Sequence, residues 1–388
     1  MPKIDFNNTS IAFQHKSNTD LKKAWWLFNS FKSPLIVNVG PKIADIAFSF
    51  HLPIKGLIKR TIFSQFCGGE NIEECTVAIR SLAQSNIGTI LDYSVEGEEN
   101  ENVFDATCNE IIATINKASG NPAIPFSVFK TTGIGRFNLM AKVNSKLVTL
   151  NNIEAAEFER VKARFEKICH AAYDKQVRVF VDAEETWIQD TIDRLTYEMM
   201  LKFNKETAIV YNTIQCYRKD RVTHLQTTVA TLNCKLGFKL VRGAYMEKER
   251  ERALSRGMRS PIQETKELTD KEFNSVMTTC IQHIDKVSIC AGTHNEESSQ
   301  LLVDLMEQYN LEPNDSRIYF AQLLGMSDHI SFNLANAGYN VAKYVPYGPV
   351  RAVLPYLSRR AQENSSVKGQ VGRELRLITE ELNRRKKK

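Results

Sequence analysis

Val177-Arg178-Val179-Phe180-Val181-Asp182-Ala183-Glu184-Glu185 joins a short β-branched run to a cluster of three carboxylates. The apolar part reads as a buried strand, and the carboxylates mark its end. Seven further runs of the same kind flank it: Gly88 to Ser94, Phe126 to Lys130, Ala208 to Ile214, Phe238 to Val241, Val287 to Ala291, Ile318 to Ala321 and Asn340 to Val345. Stretches of helical periodicity separate them, so the chain repeats a βα unit, the pattern of a parallel sheet. Eight strands are the number that closes a (βα)8 barrel.

The carboxyl ends of these runs sharpen the choice of fold. They carry Asp92, Lys130, Asp182 with Glu184, Gln215, Arg242, Thr293-His294-Asn295, Gln322 and Tyr344. A closed barrel gathers its strand ends into one active-site mouth, which accounts for polar residues recurring there. A doubly wound sheet would leave some of them far from its ligand crevice. The barrel is therefore expected over residues 86–388, including the C-terminal helices. Residues 1–85 are expected to form a helical segment, with periodic apolar residues over Leu21 to Phe31 and Pro41 to Phe50, and a further helical stretch over Asn71 to Ser85 after a glycine break.

With 43% hydrophobic and 25% charged residues among 388, the chain has ample apolar material for a large core. No apolar run approaches the roughly 20 residues of a bilayer-spanning helix. Residues 1–6 show neither a signal-peptide core nor an Arg-rich transit pattern, so a cytoplasmic protein is expected, or one resting on the inner face of a membrane. The eight cysteines form no C-x-x-C, and no H-E-x-x-H occurs among the seven histidines, so no metal site is expected and the thiols read as reduced. Part of the +6 net charge comes from Arg384-Arg385-Lys386-Lys387-Lys388, read as a solvated helix end; nucleic-acid binding is not expected.

Gly133-Ile134-Gly135 lacks the third glycine of a dinucleotide fingerprint and reads as a βα turn. Glu184 and Glu185 suit a helix N-terminus as well as a site, whereas Asp182 ends its apolar run and projects into the mouth. Lys239-Leu240-Val241-Arg242 sets cations around a strand end, and Gly243 and Ala244 let a planar ligand approach the backbone. A phosphate or a reduced, anionic ring would suit them; solvated charge is the equal alternative. Tyr344-Val345-Pro346-Tyr347-Gly348-Pro349 leads into a helix whose Val350, Val353, Leu354, Leu357 and Ala361 share one stripe. Arg359 and Glu363 fall on the opposite face and Arg360 on its flank, which periodicity alone assigns to solvent. A helix lying over the barrel mouth would turn that face onto a ligand, and two adjacent guanidinium forks can clamp a carboxylate.

Taken in order, Asp182-Ala183-Glu184-Glu185, Lys239 to Tyr245, Thr293-His294-Asn295-Glu296, Gln322-Leu323-Leu324-Gly325-Met326 and Tyr344 through Arg359-Arg360-Ala361-Gln362-Glu363-Asn364 resemble the proline dehydrogenase family, close to its monofunctional, eukaryote-like branch. The resemblance implies a distorted (βα)8 TIM-like barrel with its last helix over the mouth. It also implies FAD held non-covalently, L-proline oxidised to Δ1-pyrroline-5-carboxylate, and electrons passed to a membrane quinone. Carried over by position, it places Lys130, Arg359 and Arg360 on the substrate carboxylate and Tyr344 against the ring, with Glu96 pairing with Arg360 as a gate. Asp182, Gln215, Lys239, Arg242, Gly243, Ala244, Thr293, His294, Asn295, Gln322 and Glu363 are implied around the flavin. Many bacterial bifunctional members have Arg then Lys where this chain has Lys239 then Arg242, which leaves open which of the two meets the flavin. Two rivals stand beside this reading: a colourless aldolase-like barrel using Lys130 as a Schiff-base nucleophile, and a flavin-binding scaffold without turnover.

Overall fold

A computed structural model describes residues 4–33, 37, 39, 40, 43, 50, 53–94, 99–145, 148–366 and 370–387, with the backbone alone for 363–366, 370 and 371. Glu96, the Glu363 side chain and most of the helix expected over Pro41 to Phe50 lie outside the described residues. Eight parallel strands close a barrel in chain order. They are β1 (Ile87–Tyr93), β2 (Phe126–Lys130), β3 (Arg178–Asp182), β4 (Val210–Gln215), β5 (Leu236–Val241), β6 (Val287–Gly292), β7 (Ile318–Leu323) and β8 (Val341–Tyr347). The expected barrel is present, with strand bounds that shift by no more than two residues.

The chain divides into two compact parts, residues 97–321 and residues 2–96 with 322–388. In the first, strand alternation sends Phe126, Phe180, Tyr211 and Tyr319 inward. Phe126 stacks on Phe180 with ring centroids 4.3 Å apart, and Tyr211 meets both edge-on at 5.5 Å. Tyr319 approaches Phe126 at 4.9 Å, and the Arg178 guanidinium lies 5.4 Å from the same ring. Gly237 fits beside them because a Cβ there would stand 2.5 Å from the Tyr211 ring. The same parity puts Lys130, Asp182, Gln215 and Lys239 on the inward face, further along the same strands. One alternation thus supplies an aromatic floor and a polar carboxyl end.

In the second part, β1 and β8 pair in register from Ile87 with Val341 to Tyr93 with Tyr347. The helix Asn18–Ser30 opens with a capping box between Ser17 and Asp20. Its buried Leu21, Leu27 and Phe28 join Phe66, Val353 and Leu357 in one apolar core that also includes Leu377 and Ile378 of the helix Gln370–Lys386. The N-terminal helices therefore pack with the last helices of the chain. Beside this core, Asp328 is buried against Lys343 at 2.9 Å and Lys16 at 2.7 Å. Burial alone would raise its carboxyl, but the two ammonium groups outweigh it and hold it far below the usual range. His15, stacked on Phe332 at 3.9 Å, is pushed down to about 4 by burial.

Candidate active site

Within residues 97–321, three sets of polar contacts join the ends of β2 to β6. Lys239 on β5 forms an ion pair with Asp182 on β3, and its ammonium group lies 5.4 Å from the Phe180 ring centroid. Glu184, just past β3, accepts the Thr132 backbone N–H at 3.0 Å and the Thr132 hydroxyl, both from the turn that follows β2. Gln215 at the end of β4 donates to the Glu184 carbonyl at 2.7 Å. Burial raises the Glu184 carboxyl to about 7, although the Thr132 hydrogen bonds and the charge of Lys130 oppose the shift.

The two cations around β5 part company. Lys239 points inward, whereas Arg242 turns toward the helix Lys266–Gln282, where it pairs with Asp270 and lies over the Phe273 ring at 4.5 Å. Arg242 also donates to the Thr293 hydroxyl at 2.6 Å, so the Thr293 side chain is engaged with β5 rather than extended into space. Asn295 caps the helix Glu296–Gln308, accepting from the Ser298 backbone N–H at 2.8 Å. Gly243 has φ +127°, and a Cβ there would stand 2.6 Å from the Tyr217 ring. An aromatic neighbour in the fold is thus one demand for glycine at a position singled out for ligand approach.

The expectation that Glu184 and Glu185 serve a helix N-terminus is met differently. Glu185 occupies the N-cap position of the helix Thr186–Phe203 without a side-chain capping bond, and pairs with Lys248 at 3.0 Å. The cap comes from Glu249, whose buried carboxylate accepts the Thr186 N–H and hydroxyl, each at 2.7 Å. Glu249 and Thr132 are contributors that the sequence reading missed. Glu249 lies in the charged run Met246-Glu247-Lys248-Glu249-Arg250-Glu251, which reads as a solvated face, and Thr132 gives no periodic signal.

Tyr344 is half-buried in β8, and its carbonyl accepts the Leu324 N–H at 2.9 Å. Gln322 lies within β7 and accepts from the Ser331 hydroxyl of the helix Asp328–Asn336 at 2.8 Å. The expected stripe Val350, Val353, Leu354, Leu357 and Ala361 is buried, but the helix Leu354–Ser366 begins only at Leu354, with Val350 and Val353 in the turn before it; Tyr356 and Arg360 are buried as well, Arg360 retaining 8% of its surface. Arg359 is half-buried. Periodicity had assigned Arg359 to solvent; burial continues around the helix, with the Arg360 guanidinium 5.1 Å from the Tyr356 ring centroid.

Comparison with known proteins adds a second line. The family model of proline dehydrogenase matches residues 75–373. The carbapenem antibiotics biosynthesis protein CarD of Pectobacterium carotovorum subsp. carotovorum is 34% identical over 334 residues, covering 85% of this chain and 86% of that protein. Proline dehydrogenase 1, mitochondrial, of Drosophila melanogaster is 42% identical over 245 residues, 60% of this chain and 36% of that one. Its mitochondrial name does not match the cytoplasmic expectation drawn from the sequence. Among the described residues, no helix is long and apolar enough to cross a membrane. The crystal structure of proline utilization A from Bdellovibrio bacteriovorus inactivated by N-propargylglycine shares the fold, with a TM-score of 0.73 at 17% identity over 93% of this chain and 38% of that one. With a family model matched over most of its length, and the barrel and its polar strand ends in place, this chain belongs to the proline dehydrogenase family.

Proposed function

We propose that this chain oxidises L-proline to Δ1-pyrroline-5-carboxylate with FAD as the hydride acceptor and a quinone as the final acceptor, the first step of proline catabolism. The observation that carries the reading is the inward set Lys130, Asp182, Gln215 and Lys239 at the strand ends of a barrel of this family. The groups present suit FAD: Lys239 offers positive charge on the inward face to a phosphate or an anionic reduced ring, Arg242, paired with Asp270, holds the Thr293 hydroxyl, and Gln215, Thr293, His294 and Asn295 are neutral hydrogen-bonding groups. Asp182 acts by holding Lys239, and Gly243, Ala244, Gln322 and Glu363 complete the assigned set. FAD, when bound, supplies the hydride acceptor.

The work of the protein is then mainly positioning. Lys130, Arg359 and Arg360 hold the substrate carboxylate, Tyr344 packs on its ring and selects proline, and Glu96 gates through Arg360. Because quinones reside in membranes, turnover calls for peripheral contact with a membrane surface. The test is the visible spectrum before and after anaerobic addition of L-proline. A yellow protein bleached by proline supports the reading, a colourless one favours the aldolase, and a yellow one that proline does not bleach favours the scaffold. Arg360→Met is expected to raise KM for proline about ten- to hundredfold with flavin retained, the loss of one charge-assisted fork; unchanged kinetics would remove the clamp.

A further inference from the structure

The buried carboxylate of Glu184 has no role in the assignments above, yet it is the point at which three strand ends meet. Its carboxylate accepts both the N–H, at 3.0 Å, and the hydroxyl of Thr132. Thr132 sits in the 3-10 turn Thr131–Gly133, which begins immediately after Lys130. The backbone of Glu184 is fixed from two other sides: its N–H donates to Gln189 at 2.8 Å, and its carbonyl accepts from Gln215 at 2.7 Å. Gln189 in turn donates to Asp193 at 2.7 Å, as Asn212 does at 2.9 Å, so the anchor has satisfied buried partners behind it. The charged groups around the Glu184 carboxyl are Lys130 and Glu185.

We propose that Glu184 is a positioning residue for Lys130: by gripping Thr132 it sets the turn that leaves β2 and so aims the lysine ammonium group at the substrate carboxylate. The inference rests on the proline reading for the identity of that carboxylate, but its mechanical half does not. A helix-dipole role would place the carboxylate at the N-terminus of the helix Thr186–Phe203, where Glu249 already accepts from Thr186. The Glu184 carboxylate reaches back across to β2 instead.

The test uses the holoenzyme and the variants Glu184→Gln, Thr132→Val and Thr132→Ser. Flavin content, steady-state kinetics with proline, and hydrogen–deuterium exchange of peptides spanning residues 126–136 are measured on each. Thr132→Val and Glu184→Gln are expected to raise KM about tenfold, within the penalty for a misplaced binding group, with kcat within about twofold and flavin retained. Exchange at Thr132 accelerates in both, and Thr132→Ser behaves as the wild type. A loosened turn with unchanged KM in both variants overturns the inference, and so does unchanged exchange. Should Glu184→Gln not fold, Thr132→Val decides by the same criteria. A wild type that proline does not bleach sinks the proline reading instead; the exchange rates then uphold or overturn Glu184 as the anchor of the turn.

Discussion

Replacing Asp328 with alanine tests a buried charge cluster in the second part of the chain. The carboxylate is held between Lys343 at 2.9 Å and Lys16 at 2.7 Å, and the Lys343 side chain is 1% exposed. Without Asp328, Lys343 keeps the Met326 carbonyl at 2.6 Å and a weaker attraction to the buried Glu374, but has lost its nearest countercharge. Breaking one partner of such a pair costs about 3–5 kcal/mol, because the surviving charge stays buried. Unfolding entropy scales to about 0.8 kcal/mol/K for a chain of this size. The Tm of Asp328→Ala should therefore fall by about 4–6 °C in calorimetry. The cause can be separated from lost packing with Lys343→Met. In the double variant no ammonium group is stranded, Lys16 can turn to solvent, and most of the loss should be recovered, a coupling of about 2 kcal/mol or more. A double variant as unstable as Asp328→Ala alone would refute the stranded-charge account, as would an Asp328→Ala protein with the wild-type Tm.

Gly243→Ala puts a Cβ 2.6 Å from the Tyr217 ring at φ +127°, so strain and overpacking together should cost about 2–4 kcal/mol; a wild-type denaturant midpoint would show that the ring yields freely. Glu249→Ala leaves the Thr186 N–H and hydroxyl without their acceptor, a loss of about 2–4 kcal/mol by thermal unfolding, and Glu249→Gln, which retains an acceptor oxygen, should lose less. Glu184 gives a pH signature: burial raises its folded pKa from 4.5 to about 7, so the folded state holds the extra proton and stability falls as pH climbs through that window. The contribution is roughly 3 kcal/mol, so Glu184→Gln should gain on the wild type as pH rises from 4.5 to about 7, and parallel Tm profiles would contradict it.

The barrel was legible because each strand is a short buried run with a polar residue at its end, a local property that survives without knowing any partner. Individual inward residues were legible for the same reason: Asp182 and Lys239 each stood out. Their pairing did not, because 57 positions separate them and nothing in either neighbourhood specifies the other. Glu249 shows the opposite failure. A carboxylate in a run of alternating charges is solvated unless another helix start comes to it, and Thr186, 63 positions earlier, does so.

The arginine helix shows most clearly where a one-dimensional reading stops. Helical periodicity measures which residues of a helix are apolar, and from that infers which face is covered; the inference holds when a helix has one neighbour. The helix Leu354–Ser366 lies in a core shared with Phe28 and Phe66, from the far end of the sequence, and its buried surface extends past its apolar stripe to include Tyr356 and Arg360. Burying a guanidinium has a desolvation cost that hydrophobic packing alone does not repay. Contact with the Tyr356 ring offsets a part of it at 5.1 Å. In the proposed clamp a substrate carboxylate would meet the fork with two charge-assisted hydrogen bonds. If the proposed clamp is right, L-proline binding should stabilise the fold as well as orient the substrate, and a Tm that proline does not raise would count against it.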